Sequence, residues 1–415
     1  MYKKTRLENG VRIVTEEIPH VRSVTIGFWV RSGSRDEDPT NNGISHLIEH
    51  LLFKGTTTRT ARDIAEQIDA AGGQLNAFTS KEHTCYYARV LDGHLPMATE
   101  ILADMLLNST IMESELEKEK GVILEEIKMY EDSPDELVHD LFAEAVLHPH
   151  PLGQSVLGRA EIIERITRDA ILEHMNRHYT PEKIVVSVAG NVAHEEVVAE
   201  VRRHFEKLNG QGDRYTHIPA VPKRARVIRP KETEQVHLVV GGYGVERHDP
   251  DRFALYVLDT ALGGGMSSRL FQELREERGL VYSTYSYHSS FHEAGIFAIY
   301  AGTSPKHVDT VLEIIHQQCR EVARKGIGGE ELRRAKEQIK GNLMLSLEST
   351  ANRMSRIGKA ELFEEELLTP DELMARIDAV THEDTMRVAA RVLNGDTLSL
   401  TAIGPLPNGW KGPGW

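Results

Sequence analysis

The sequence predicts an α+β fold of two homologous domains, each a mostly antiparallel sheet packed against helices. Three observations carry that expectation. Runs that alternate like half-buried strands, 11–16 and 23–32, stand beside runs with helical period, such as 43–54 and 95–108. The order of elements then returns: SELEKEKGVILEEIKMY resembles EELRRAKEQIKGNLMLS, and ITRDAILEHMNRHYTPEKIVVSVAGN resembles VTHEDTMRVAARVLNGDTLSLTAIGP. Between the two copies, GQGDRYTHIPAVP lacks an apolar period and is rich in Gly and Pro. The domains are therefore expected at 1–212 and 223–415, with 213–222 as linker.

Composition sets the bounds. With 415 residues, 40% hydrophobic and 27% charged, the chain is long enough for two soluble globular domains. A net charge of −14 argues against nucleic acid or an anionic membrane as the main partner. Cys85 and Cys319 are too few for a disulfide framework and suit buried thiols in a reducing compartment. The start, MYKKTRLENG, has no apolar leader segment, and no stretch is apolar enough to span a bilayer, so a cytoplasmic location is expected.

Taken in order, two strands lead through the turn-rich SRDEDPTNN into a helix over 43–54, with Asn42 or Asn41 as its expected cap. On that helix Ile44, Leu47, Ile48, Leu51 and Leu52 form one apolar stripe, while His46, Glu49 and His50 cluster opposite. Phe53 shares the polar side, which suits a cleft better than open solvent. A helix over 61–71 ends at Gly72-Gly73, after which QLNAFTS and HTCYYARV read as paired strands. Helices follow over 95–108, 113–130 and 134–147, then the loop HPHPLG, a helix over 168–178, a strand over 184–189 and a helix to 205. In the second copy a strand over 235–242 precedes FALYVLDTAL, which takes the place of the histidine helix and has no ligands. The final GPLPNGWKGPGW reads as a frayed tail.

The chemistry concentrates on H-x-x-E-H, the inverted zinc motif, in which two histidines one turn apart reach one ion and a glutamate beside them handles a proton. Catalytic zinc takes three protein ligands, so a third donor must come from elsewhere. On the helix over 113–130, Leu116, Ile123, Ile127 and Tyr130 form the buried stripe, Glu126 lies at its flank and Glu125 points away. Glu119 falls on the same flank as Glu126 and could orient a ligand histidine. Read without the histidine motif, both glutamates are better taken as solvated helix charges, and the motif reverses that balance. The strand after Gly72-Gly73, carrying Asn76, Ala77 and Phe78, is either one arm of an ordinary hairpin or a free edge for an extended peptide.

On these residues the chain resembles the pitrilysin and insulinase family of zinc peptidases, in the short two-domain branch similar to bacterial processing-type peptidases and the mitochondrial processing peptidase beta subunit. The family places a glutamate at a set interval after the second histidine, and Glu126, 76 residues beyond His50, stands at that interval. The resemblance implies His46, His50 and Glu126 as ligands of one zinc ion per chain, Glu49 as general base and Glu119 as accessory acid. It also implies Asn76, Ala77 and Phe78 as a substrate-binding edge, and it matches LREERGLVYSTYSY to a pair, Arg275 and Tyr282, that polarises the carbonyl and holds substrate backbone. The expectation is a bacterial zinc endopeptidase that cuts short or unfolded peptides inside a chamber formed by a homodimer. A catalytically inactive scaffold subunit of the same fold is the alternative, and an unrelated acidic binding protein the third reading.

Overall fold

Six strands build the first sheet: β1 (Tyr2–Arg6), β2 (Arg12–Glu17), β3 (Ser23–Val30), β4 (Gln74–Thr79), β5 (Thr84–Leu91) and β6 (Ile184–Gly190). They lie in the order β1-β2-β6-β3-β5-β4, antiparallel except where β2 runs beside β6. Strand β3, SVTIGFWV, is buried along nearly all its length because both faces of the sheet are covered. These observations come from a computed structural model that describes residues 2–213, 216, 218, 220, 223–395, 397–407 and 409–414.

The second sheet contains β7 (Arg226–Pro230), β8 (Val236–Tyr243), β9 (Val281–Ser290), β10 (Gly295–Thr303) and β11 (Ser399–Gly404), in the order β7-β11-β8-β10-β9. Its one parallel pair is β7 with β11. With β1 set aside, the sheets match strand for strand, β2-β6-β3-β5-β4 against β7-β11-β8-β10-β9, and the parallel pair falls at the same place in each. The sequence repeat is thus a repeat of topology, and the fold is α+β in two sheet-bearing halves.

The helices of the first half are α1 (Ile44–Leu52), α2 (Ala61–Ala70), α3 (Leu95–Asn108), α4 (Glu113–Glu131), α5 (Pro134–Leu147), α6 (Ala160–Ile163), α7 (Arg168–His178) and α8 (His194–Phe205). Those of the second are α9 (Arg252–Gly263), α10 (Val308–Lys325), α11 (Gly329–Ser346), α12 (Thr350–Leu362), α13 (Pro370–Asp378) and α14 (His382–Val392). None is long and apolar enough to cross a membrane among the described residues.

Two compact units result, and a single cut at a linker does not produce them. One comprises Met1–Ile127, Gln154–Thr216 and Ser346–Leu367, the other Lys128–Gly153, His217–Leu345 and Leu368–Trp415. Helix α12, from the second half of the sequence, therefore covers one face of the first sheet, setting Met354, Ile357 and Leu362 against Val14, Trp29 and Val185. Helix α5, from the first half, covers a face of the second sheet, with Leu137, Val138 and Phe142 against Val239, Ala298 and Ile403. Of the expected linker 213–222, Arg214, Tyr215, His217, Pro219, Val221 and Pro222 lie outside the described residues.

The expected frayed tail is corrected. Trp410 Nε1 donates to Asp309 Oδ1 at 3.0 Å, and the Arg226 guanidinium donates to the carbonyls of Lys411 and Pro413 at 2.7 and 2.9 Å. An aromatic ring with a partly covered face and two capped carbonyls outweigh the Gly and Pro content of the segment. Asn408 and Trp415 fall outside the described residues.

Candidate metal centre

Helix α1 buries Ile44, Leu47, Ile48, Leu51 and Leu52 and turns His46, Glu49 and His50 the other way, as its period requires. Its start differs from expectation. Neither Asn42 nor Asn41 caps it: the N-cap is Gly43, at φ +96°, a conformation that favours glycine, and no side chain at that position bonds the helix. Glu37, six residues upstream, does the work instead. Its Oε2 accepts from Gly43 N at 2.7 Å and from the Asn42 side chain at 2.9 Å, and its Oε1 accepts from Ser45 N at 2.9 Å. Burial pushes this carboxyl up to about 7 despite those bonds.

Helix α4 brings its acids to the same place. His46, His50 and Glu126 offer ligand atoms that all lie within 4.8 Å of one another, and no other such group of three exists among the described residues. Glu126 Oε2 stands 3.8 Å from Nε2 of each histidine, too far for a hydrogen bond. Two donors sharing a tetrahedral ion with bonds of about 2.1 Å would be about 3.4 Å apart, so the spacing suits an ion between them. The imidazole centroids are 4.7 Å apart at 73°. Burial, reinforced by His50, drops the His46 imidazole to about 4, which keeps it neutral and able to donate a lone pair. Its Nδ1 is buried without a hydrogen-bond partner among the described residues. The donor set of two imidazoles and one carboxylate therefore fits zinc chemically, with its ligand atoms gathered within 4.8 Å of one another.

The neighbouring carboxylates divide in role. Glu49 Oε2 accepts from Thr79 Oγ1 on β4 at 2.6 Å, and burial raises its carboxyl above the usual range. Glu119, buried on α4, takes His50 Nδ1 at 3.2 Å with one oxygen and Lys54 Nζ at 2.8 Å with the other. Strand β4 lies at the sheet edge, paired only with β5, so Asn76, Ala77 and Phe78 run along an open margin. Phe78 packs edge-on against Trp29 at 5.8 Å, and Asn76 Oδ1 accepts from Ala77 N. A cavity of about 750 Å³ opens beside this strand, walled by Phe53, Lys54, Ile64, Ile68, Leu75 and Tyr87.

Comparison with known proteins decides the kinship. Residues 12–160 match the profile "Insulinase (Peptidase family M16)", and residues 165–339 match "Peptidase M16 inactive domain". An uncharacterized zinc protease of Streptomyces coelicolor is 48% identical over 413 residues, 97% of this chain and 90% of that protein. Another, from Bacillus subtilis, is 46% identical over 408 residues, 98% of this chain and 99% of its own. The chain belongs to the insulinase family, peptidase family M16. Solved structures share the fold: a protease from Helicobacter pylori superposes with a TM-score of 0.92 at 22% identity, covering 98% of this chain and all of that one. The M16 inactive domain from Pseudomonas fluorescens gives 0.92 at 20% identity, covering 98% of each.

Within this M16 chain the metal-ligand candidates fall in the span matched by the insulinase profile, whereas α9, which takes the place of α1 in the second sheet's half, falls in the inactive-domain span. There Asp259 accepts from Ser286 Oγ at 2.5 Å and pairs with His288 Nδ1 at 2.6 Å, so its polar groups satisfy one another. Arg275 sits in a π-helical turn, Phe271–Glu276, and its Nη1 donates to Tyr282 O at 2.6 Å. Its Cζ lies 5.1 Å from the Tyr282 ring centroid, and Tyr282 is 74% exposed. The pair is thus preassembled in the second unit. Sequence reasoning passed over Glu37, Lys54 and Thr79. Glu37 lies outside the usual cap position, Thr79 reaches the site only by a tertiary contact, and the four-residue interval from His50 to Lys54 was a usable signal for the lysine.

Proposed function

We propose that the chain is a zinc-dependent endopeptidase acting on short or unfolded peptides. The observation that carries this reading is the convergence of His46, His50 and Glu126 beside a buried Glu49. His46, His50 and Glu126 would hold a zinc ion, which would supply a water of lowered pKa and polarise a scissile carbonyl. Glu49, held at one oxygen by Thr79, accepts the water's proton and returns it to the leaving amine. Glu119 keeps the His50 ring oriented. The open edge of β4 takes the peptide as an added strand, with Asn76, Ala77 and Phe78 beneath it and the neighbouring cavity receiving a side chain. Arg275 and Tyr282, carried by the other unit, offer a guanidinium and a phenol suited to binding peptide backbone.

Because one chain carries both the metal residues and the Arg275 and Tyr282 pair, a homodimer enclosing a chamber needs no second sequence. A bacterial cytoplasmic setting suits the bacterial relatives. The inactive-domain match over residues 165–339 keeps a scaffold role as the second reading. Zinc analysis combined with cleavage of a quenched peptide separates them. Glu49→Gln should retain stoichiometric zinc and lose turnover, whereas a wild-type chain without chelator-sensitive cleavage would favour the scaffold. Full activity in a sedimenting monomer would remove the dimer.

A further inference from the structure

Along α1 and the turn that ends it, His46, His50 and Lys54 recur at four-residue intervals, so at about 100° per residue they keep to one strip. Glu119 and Glu126, seven apart on α4, share a strip for the same reason. The strips run in opposite senses. His46 faces Glu126, His50 faces Glu126 through Nε2 and Glu119 through Nδ1, and Lys54 faces Glu119. At about 1.5 Å rise per residue, the step from 46 to 54 covers about 12 Å and that from 119 to 126 about 10 Å, so the two rows stay in step.

We propose that Lys54 is a positioning residue for the metal: its ammonium grips one oxygen of Glu119, so that the other oxygen holds the Nδ1–H of His50 and aims Nε2 at the ion. This rests on the zinc reading given above. The terminal torsion of a glutamate is broad and roughly two-fold, and a single 3.2 Å contact to His50 leaves it free to swing. The second contact, at 2.8 Å, removes that freedom. Charge points the same way. Glu49, Glu119 and Glu126 set three carboxylates around two imidazoles, and among the described residues Lys54 is the one lysine or arginine ion-paired with any of them. The Glu119 side chain is only 6% exposed and that of Lys54 32%, so the pair is half-buried rather than a fully solvated surface contact. Lys54 also lines the cavity next to Phe53.

An ordinary lysine–glutamate pair would add a little stability and nothing else. Zinc affinity tells the two apart. It is measured on the full chain by competition with a chelator, alongside the melting temperature of the metal-free protein. Lys54→Met keeps the stem and removes the charge, and should weaken zinc about 10-fold or more, as loss of a contact behind a ligand does. Lys54→Arg should return to within about threefold of wild type, since it keeps the cation. In a Glu119→Gln background, Lys54→Met should change affinity no further, because its effect passes through Glu119. Wild-type affinity in Lys54→Met overturns the proposal, whether or not its melting temperature falls, and so does an undiminished loss in the Glu119→Gln background. A wild-type chain that takes up no zinc defeats the reading of the site itself; wild-type zinc with an unaffected Lys54→Met defeats only the role of the lysine.

Discussion

At the scale of single residues, burial decides which histidines stay neutral. His174 and His178 on α7 hold their ring centroids 4.4 Å apart, tilted by 32°, and Lys183 Nζ donates to His178 Nδ1 at 3.0 Å. Desolvation first, then the charges of His178 and Lys183 on His174 and of Lys183 and Arg177 on His178, brings both to about 3. The unfolded chain protonates them near 6.5, so between those values it binds more protons, and stability falls as pH falls through that window. At pH 5 the loss is about 2 kcal/mol per imidazole. Urea midpoints should therefore drop from about pH 7 to 5, and the double variant His174→Gln, His178→Gln should flatten that profile; equal slopes would refute the assignment. The candidate ligands His46 and His50 were legible in the sequence because a four-residue interval on a helix fixes a shared face. Glu126 was legible in part, as the flanking acid of a buried stripe. Glu37 was not, because it caps a helix from outside the usual cap position, where the residue is a glycine.

At the scale of elements, α12 illustrates what periodicity leaves open. A helical period shows which face is apolar but not which sheet it covers, and the short strands β1 and β7 gave too little alternation to stand out. The helix docks through close approach: Thr25 and Thr350 share a hydroxyl hydrogen bond at 2.9 Å, and Arg12 Nη1 donates to Glu361 O at 2.7 Å. Arg353 pairs with Glu16. A Cβ on Gly358 would lie 2.3 Å from Trp29 Nε1 and 2.7 Å from Ser187 Oγ, two atoms that are themselves hydrogen-bonded at 2.7 Å. Gly358→Ala should thus destabilise by about 1–3 kcal/mol through overpacking. Gly341→Ala on the solvated stretch of α11, where nothing lies within 4 Å, should instead stabilise by about 0.5–1 kcal/mol. Chemical denaturation followed by tryptophan fluorescence would test both, and a harmless Gly358→Ala would contradict the packing described.

At the scale of the whole molecule, each half of the sequence lends the other a helix, so neither fragment can cover both faces of its own sheet. Expressed alone, 1–212 leaves Val14, Trp29 and Val185 bare and carries α5 without its docking face, while 223–415 leaves Val239, Ala298 and Ile403 bare. Each should aggregate. Produced together, the fragments should be recovered as a soluble complex, and independently soluble halves would argue against the exchange. Because the halves hold each other through traded helices, the covalent link between them contributes chiefly the local concentration at which they meet. A protease that nicks the folded chain there should leave two pieces on a denaturing gel and a single particle in solution.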